Sequence, residues 1–283
     1  MSMPSSDKPR ISLITVCYNA EGTISKALQS AREQTYHDFE HLVVDGASTD
    51  RTLDIVRQFE DLPLVISSEP DKGIYDAMNK GVARARGDIL FFLNADDRLR
   101  DAGVLARVAH AFDEDPDLDI LWGDVINVFQ DGERTRTTHA HINPEALLYD
   151  SLCHQATFAH RHLFERHGDF DTTYPICADF DWFLRVLHGG ARYRHLPLDV
   201  AEFTRGGMHE QDRRALYKEK SRIRRPYLNP IAYGVKELRL NSRILRHALS
   251  RRIKLALCRT IPPLGRCQRC RRLMRRAALE GGK

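Results

Sequence analysis

An alternation in the first 128 residues constrains this chain more than anything else in it. Five short apolar runs of strand type (Ile11–Cys17, 39–44, 62–67, 89–93 and Ile120–Val128) alternate with stretches of helical spacing at 22–34, 52–59, 74–85 and 102–112. Strands that alternate with helices predict an α/β fold: a mostly parallel, Rossmann-like sheet with helices on both faces. Runs as continuously apolar as ISLITVC are what a strand buried on both faces requires.

In sheets of this kind a ligand binds beyond the carboxyl ends of the strands. Polar residues gather at those ends: Tyr18-Asn19-Ala20-Glu21 after the first strand, Asp45 to Asp50 after the second, Asn94-Ala95-Asp96-Asp97 after the fourth and Gly123-Asp124 after the fifth. Each cluster alone also fits a helix N-cap or an Asx turn. Four at corresponding positions point to a ligand site. The adjacent carboxylates Asp96 and Asp97 repel one another unless a cation screens them. Oxygen ligands beside phosphates suit a hard ion, Mg²⁺ or Mn²⁺. The chain has no GxxxxGK[ST] loop and no GxGxxG after its first strand, which argues against P-loop nucleotide and dinucleotide sites.

The remainder, 130–204, reads as mixed: a hairpin around Asp131-Gly132, a strand over 154–159, a short helix over 161–167 and a helix over 179–187 that stops at Gly189-Gly190. The longest apolar runs are about five residues, far below the roughly 20 that a membrane span needs. The first ten residues lack a secretory h-region, so a cytoplasmic protein is expected. Six cysteines do not make a disulfide scaffold; Cys17, Cys153 and Cys177 read as small buried side chains. Cys267-Gln268-Arg269-Cys270, even with Cys258, lacks the second pair that a zinc site needs.

Charge is divided unevenly. Residues 1–204 hold 20 Lys and Arg against 34 Asp and Glu, whereas 205–283 hold 23 against 5. In the basic part Leu238, Leu245, Leu249, Ile253 and Leu257 recur at helical spacing among arginines. A basic amphipathic helix suits an anionic membrane surface. A packed helix with a solvated basic face stays open as an equal reading. Nucleic acid is the weakest, because Tyr217, Tyr227 and Tyr233 build no stacking platform.

The segments ISLITVCYNAEGTISKALQS, HLVVDGASTDRT, SEPDKGIYDAMNKGVARARGDILFFLNADD and CADFDWFLRV resemble, in order and spacing over residues 10–205, family 2 glycosyltransferases of the GT-A fold, in the branch serving bacterial cell-surface polysaccharides of the colanic-acid type. The resemblance implies a glycosyltransferase domain over 10–208, with a nucleotide-binding half (10–128) and an acceptor half (129–208). A disordered segment 1–9 would precede it, and a basic helical extension, 209–283, would follow. It also implies an inverting transfer from a nucleoside-diphosphate sugar, most simply a UDP-sugar, to a glycan or lipid-linked acceptor, with Mn²⁺ or Mg²⁺ as cofactor. A nucleotidyltransferase and a non-catalytic nucleotide-sugar-binding module are the alternatives. The loop 18–22 lacks the Lys or Arg that a triphosphate-binding enzyme would use.

Residue roles follow from the same resemblance. Thr15, Tyr18, Asn19 and Glu21 would line the base and ribose, and Asp45 would accept from the base. Asp76, Asn79 and Lys80 would lie near nucleotide and sugar. Asn94-Ala95-Asp96-Asp97 stands where the family has its DxD-type motif; Asn94 replaces a common Asp, leaving Asp96 and Asp97 as metal and diphosphate contacts and Asn94 to orient. His209 is a candidate late ligand, and an ordinary loop histidine otherwise. His154, Gln155 and Trp182 would border the acceptor, with Trp182 also fitting the core. An inverting transfer needs a carboxylate on the face opposite the leaving group. Asp179 matches the family's acceptor-side acid, with Ala178 where Glu is usual. Asp181 is second choice, since two residues turn about 200° around a helix, and it is spaced to pair with Arg185.

Overall fold

The computed structural model describes residues 8–206 and 212–229. Residues 1–7, His209, the leucine-spaced basic stretch and the CxxC lie outside these. The first half runs β1 (Ile11–Cys17), α1 (Ile24–Arg32), β2 (Phe39–Asp45), α2 (Thr52–Val56), β3 (Leu64–Ser68), α3 (Ile74–Arg84), β4 (Ile89–Phe92), β5 (Arg98–Leu99) and α4 (Val104–Glu114). The second half runs β6 (Ile120–Val128), β7 (Arg134–Thr137), α5 (Pro144–Leu147), β8 (Thr157–His160), α6 (His162–His167), α7 (Ala178–His188), β9 (Tyr193–Thr204) and α8 (Arg213–Arg224).

The nine strands of the described residues join one sheet in the order β3-β2-β1-β4-β8-β6-β9-β5, with β7 paired to β6. β3, β2, β1 and β4 are mutually parallel, as the alternation predicts. Every residue of β1 and β2 is buried, consistent with layers on both faces. The pleat assigns the faces. Ile11, Leu13, Val43, Ile89 and Phe91 share one core with Ile24 and Leu28 of α1 and Val108 and Phe112 of α4. Alternate residues face α3, where a Cβ on Gly81 would lie 2.5 Å from the Ile14 side chain. Only a glycine lets that helix approach so closely.

The second half departs from expectation. β6 is not the parallel neighbour of β4, because β8 lies between them, antiparallel to both. Phe91 and Phe158 stack across that pairing with centroids 4.2 Å apart. The predicted strand over 154–159 is a 3-10 turn, His154–Ala156, followed by β8. β9, twelve residues long and parallel to β6, has no counterpart in the sequence reading. Pro197 and the mixed burial of β9 hide a strand signal. Asp124 lies within β6 and not at a strand mouth; it is buried and bonded to Arg136, His139 and His195.

The first compact unit ends at Arg224 and includes α8. Residues 225–283 form a second unit, of which 225–229 are described. Among the described residues no helix is long and apolar enough to cross a membrane.

Candidate active site

The loops after β1 and β2 are laced together at the sheet's carboxyl edge. Asn19 N–H donates to Ser48 Oγ at 2.8 Å, and Thr49 N–H returns a bond to Asn19 Oδ1 at 2.9 Å. Glu21 N–H donates to Asp50, while Arg51 N–H donates to Glu21 Oε2, both at 3.1 Å. Asn19 (φ 47°) and Ala47 (φ 63°) hold left-handed backbone, which costs an alanine about 1–2 kcal/mol. The lacing holds that conformation. Asn19 and Glu21, expected at the nucleotide, therefore build the loop.

Two more expected nucleotide contacts are turned inward. Thr15 is fully buried, and its Oγ1 meets His41 Nε2 at 2.9 Å inside the sheet. Burial holds His41 down at about 3. Asp45 is also fully buried. Ser48 N–H (3.0 Å), Ser68 Oγ (2.7 Å), Ser48 Oγ and the Cys17 thiol (3.6 Å) occupy its carboxylate. Both residues, expected near the base, are taken up by these internal hydrogen bonds. The carboxylate that does reach the rim is Asp71, which the sequence reading passed over. It lies so close over Gly46 that a Cβ there would collide with it, and the Tyr18 ring borders the same spot. Tyr18 is 63% exposed. Its signal was available: Asp71 sits just before Gly73, whose φ of 123° aims the chain into α3.

α3 anchors this rim. Asp76 accepts from Lys72 N–H at 3.1 Å and lies 3.4 Å from Lys80 Nζ. The Lys72 amide, against a small opposing burial effect, holds the Asp76 carboxyl below its usual range. Lys80 also donates to Pro70 O at 2.7 Å. Asn79 clamps the Phe170 backbone at both ends, Nδ2 to O at 2.9 Å and N–H to Oδ1 at 3.0 Å. Its amide thereby ties α3 to the 170 segment.

The turn after β4 separates its two carboxylates. Asp97 is 1% exposed, with Oδ1 receiving Thr204 N–H at 2.8 Å and Oδ2 receiving Gln155 Nε2 at 3.0 Å. Burial, then the Asp96 charge, push its carboxyl well above the usual range. Asp97, expected as a metal ligand, here braces Thr204 and Gln155. Asp96 is half-buried, and its carbonyl accepts from Thr204 Oγ1 at 2.6 Å. Ala95 is buried within the turn. Asn94 Oδ1 is buried without a partner, an acceptor left open beside Asp96. Among the described residues no group of three or more His, Cys, Asp or Glu converges as a metal cluster.

The 3-10 turn before β8 joins this point to the start of α7. Gln155 holds Asp97, while its neighbour His154 bonds through Nδ1 to Asp179 Oδ2 at 2.9 Å. Tyr75 Oη–H donates to Asp179 Oδ1 at 2.9 Å, and Phe180 N–H to the same oxygen at 2.8 Å. Burial raises the Asp179 carboxyl, but the His154 bond and charge, with Tyr75 and Phe180, more than offset it and leave a lowered pKa. The Asp179 side chain keeps 19% exposure. Asp181 points elsewhere and pairs with Arg185 at 2.8 Å, as its spacing predicts. Trp182 is core: it is 1% exposed, stacks on Phe164 at 4.3 Å and donates to Gly168 O at 3.0 Å.

A family model described as "Glycosyl transferase family 2" matches residues 12–180. A "PGL/p-HBAD biosynthesis glycosyltransferase" of Mycobacterium bovis is 39% identical over 194 residues, 66% of this chain and 75% of its own. Staphylococcus aureus TarS 1–349, solved in complex with UDP-GlcNAc, aligns with a TM-score of 0.63 and 21% identity over 76% of this chain. The match spans 65% of that TarS chain. Mannosyltransferase PcManGT from Pyrobaculum calidifontis, solved with GDP-Man and Mn²⁺, aligns with a TM-score of 0.57 and 21% identity over 83% of this chain and 66% of its own.

Proposed function

The chain belongs to glycosyltransferase family 2, with its GT-A fold, and from that premise we propose that it transfers a sugar, with inversion, from a nucleoside-diphosphate sugar to a hydroxyl of a glycan or lipid-linked acceptor. Family membership makes it a glycosyltransferase and sets aside the nucleotidyltransferase and the non-catalytic module. A UDP-sugar is the first candidate donor, given UDP-GlcNAc in TarS, and a GDP-sugar the second, given GDP-Man in PcManGT. Biosynthetic glycosyl transfer is the context that the mycobacterial relative's name supports, and we extend it to cell-surface glycan.

One observation carries this reading. Consecutive residues His154 and Gln155 hold Asp179 and Asp97, so the acidic turn and the carboxylate that opens α7 are tied to one turn. Adjacent Cα atoms are about 3.8 Å apart, which fixes the two centres to one short rigid turn. Asp71 and Tyr18 would receive the nucleoside at the rim. Asp96 and Asn94 Oδ1 offer oxygen donors that fit Mg²⁺ or Mn²⁺. When bound, such an ion supplies positive charge to the departing diphosphate. Asp179, ionised at neutral pH, would accept the acceptor hydroxyl's proton, while His154 and Tyr75 orient its carboxylate.

The basic stretch 235–283 would hold the enzyme at an anionic membrane surface, on the strength of its charge and leucine spacing. Two assays test the proposal. UDP or GDP release and sugar transfer should occur in the wild type and collapse in Asp179→Asn; transfer that survives the substitution refutes the base. Flotation with anionic liposomes should fail when 235–283 is deleted, and unchanged flotation refutes the membrane role.

A further inference from the structure

The helix that follows the matched family segment reaches back to the backbone carrying Asp179. α7 begins without a side-chain cap, since its N-cap residue, Cys177, supplies none. First-turn amides need acceptors from elsewhere. Glu219 of α8 supplies one at the N-cap and the residue before it: its Oε2 accepts from Ile176 N–H and from Cys177 N–H, each at 3.0 Å. A carboxylate at that end also meets the positive end of the α7 dipole.

Other α8 residues press on the same turn. The Cys177 thiol lies 3.8 Å from Leu216 O. Lys220 bonds Ser151 and places its ammonium 4.8 Å from the centre of the Phe180 ring. From the opposite side Tyr75 Oη–H reaches both Ile176 O at 3.0 Å and Asp179 Oδ1 at 2.9 Å. The 176–180 segment is thus gripped through its amides by Glu219 and through its carbonyl by Tyr75, with Asp179 between.

We propose that Glu219, beyond the matched segment 12–180, is a positioning residue that fixes Asp179 through the amides of Ile176 and Cys177. Its catalytic half rests on Asp179 being the acceptor base; its structural half does not. Without Glu219 the two amides lose their acceptor and the turn shifts to recover hydrogen bonds. A misplacement of about 1 Å at a reacting group costs about 10²-fold in rate.

The test compares full-length wild type with Glu219→Ala, Glu219→Gln and Glu219→Asp. Hydrogen exchange, which needs no substrate, should accelerate at 176–182 in Glu219→Ala, stay at wild-type level in Glu219→Gln, whose amide oxygen still accepts, and leave β1 to β4 unchanged. Exchange at 176–182 that is unchanged in Glu219→Ala overturns the proposal. Nucleotide release from UDP-hexoses, UDP-N-acetylhexosamines and GDP-mannose should show kcat falling about 10²-fold in Glu219→Ala, with donor KM unchanged and rescue by Glu219→Gln. Glu219→Asp, one methylene shorter, should also lose kcat, and it serves if the alanine variant does not fold. Wild-type kcat in Glu219→Ala or Glu219→Asp overturns positioning. Wild type that releases nucleotide from no donor refutes the transferase reading, and the exchange result then decides the Glu219 clamp alone.

Discussion

His154 Nδ1 lies 2.9 Å from Asp179 Oδ2, and a carboxylate can only accept, so the imidazole donates. The bond fixes the ring tautomer and leaves His154 Nε2 buried without a partner. It also fixes the carboxylate, and this sets the first prediction. Asp179→Asn should lower kcat by about 10²–10⁴-fold, the usual contribution of a general base. Donor affinity should hold, because Asp71, Asp96 and the rim loops are untouched. Titration calorimetry beside steady-state kinetics separates the two effects.

The pH profile follows from the direction of the Asp179 shift. Burial raises its pKa, and the His154, Tyr75 and Phe180 donors more than reverse that, so the folded value lies below the ordinary one. The ionised form is the active one; activity should therefore stay level through weakly acidic pH and fall only as pH drops through the lowered pKa. The stability that Asp179 contributes is present above the ordinary carboxylate pKa and is lost over the same descent. In His154→Phe the donor is gone and burial prevails, so the acid limb of kcat/KM should move to higher pH. An unmoved limb contradicts this reading of His154.

Asp96 and Asp97 should separate cleanly on substitution. Asp97→Ala orphans the Thr204 amide and the Gln155 side chain and should destabilise the fold by about 2–3 kcal/mol. Asp96→Ala should cost less stability than Asp97→Ala and abolish metal-dependent donor binding. Thermal unfolding and calorimetry on both variants read the contrast.

Glu40 gives a prediction remote from the site. It is buried beneath the sheet edge, receiving Ser12 Oγ at 2.6 Å, Arg86 N–H at 2.6 Å and Arg86 Nε at 2.9 Å. Glu40→Ala should cost about 2–3 kcal/mol, since bonds to a charged acceptor are lost and buried donors are left. Chemical denaturation would measure it, and nucleotide affinity should not change.

The sequence reveals some of this architecture readily and conceals the rest for physical reasons. β1 and β4 are legible because strands buried on both faces are largely apolar, and β2 is legible through its Leu-Val-Val run although Glu40, His41 and Asp45 are buried in it too. β9 is not, because it mixes buried and exposed positions and contains Pro197. The acidic turn after β4 is legible as a cluster, but which carboxylate faces in depends on Gln155 and Thr204, far away in the chain. Asp45 and Thr15 read as ligand contacts by position; their partners Ser68 and His41 arrive from neighbouring strands, where spacing along one strand carries no information. Asp181 and Arg185 are legible because their pairing is local to one helix.

The central claim is a nucleotide-sugar site built on Asp96 beside a base at Asp179. Its most direct measurement is calorimetric titration of full-length protein with UDP-sugars and GDP-mannose, with Mn²⁺ or Mg²⁺ and with a chelator. The account predicts that at least one donor binds, that binding requires the ion, that Asp96→Ala abolishes it and that Asp179→Asn preserves it. Failure of every donor to bind, or binding indifferent to both the chelator and Asp96→Ala, would contradict it.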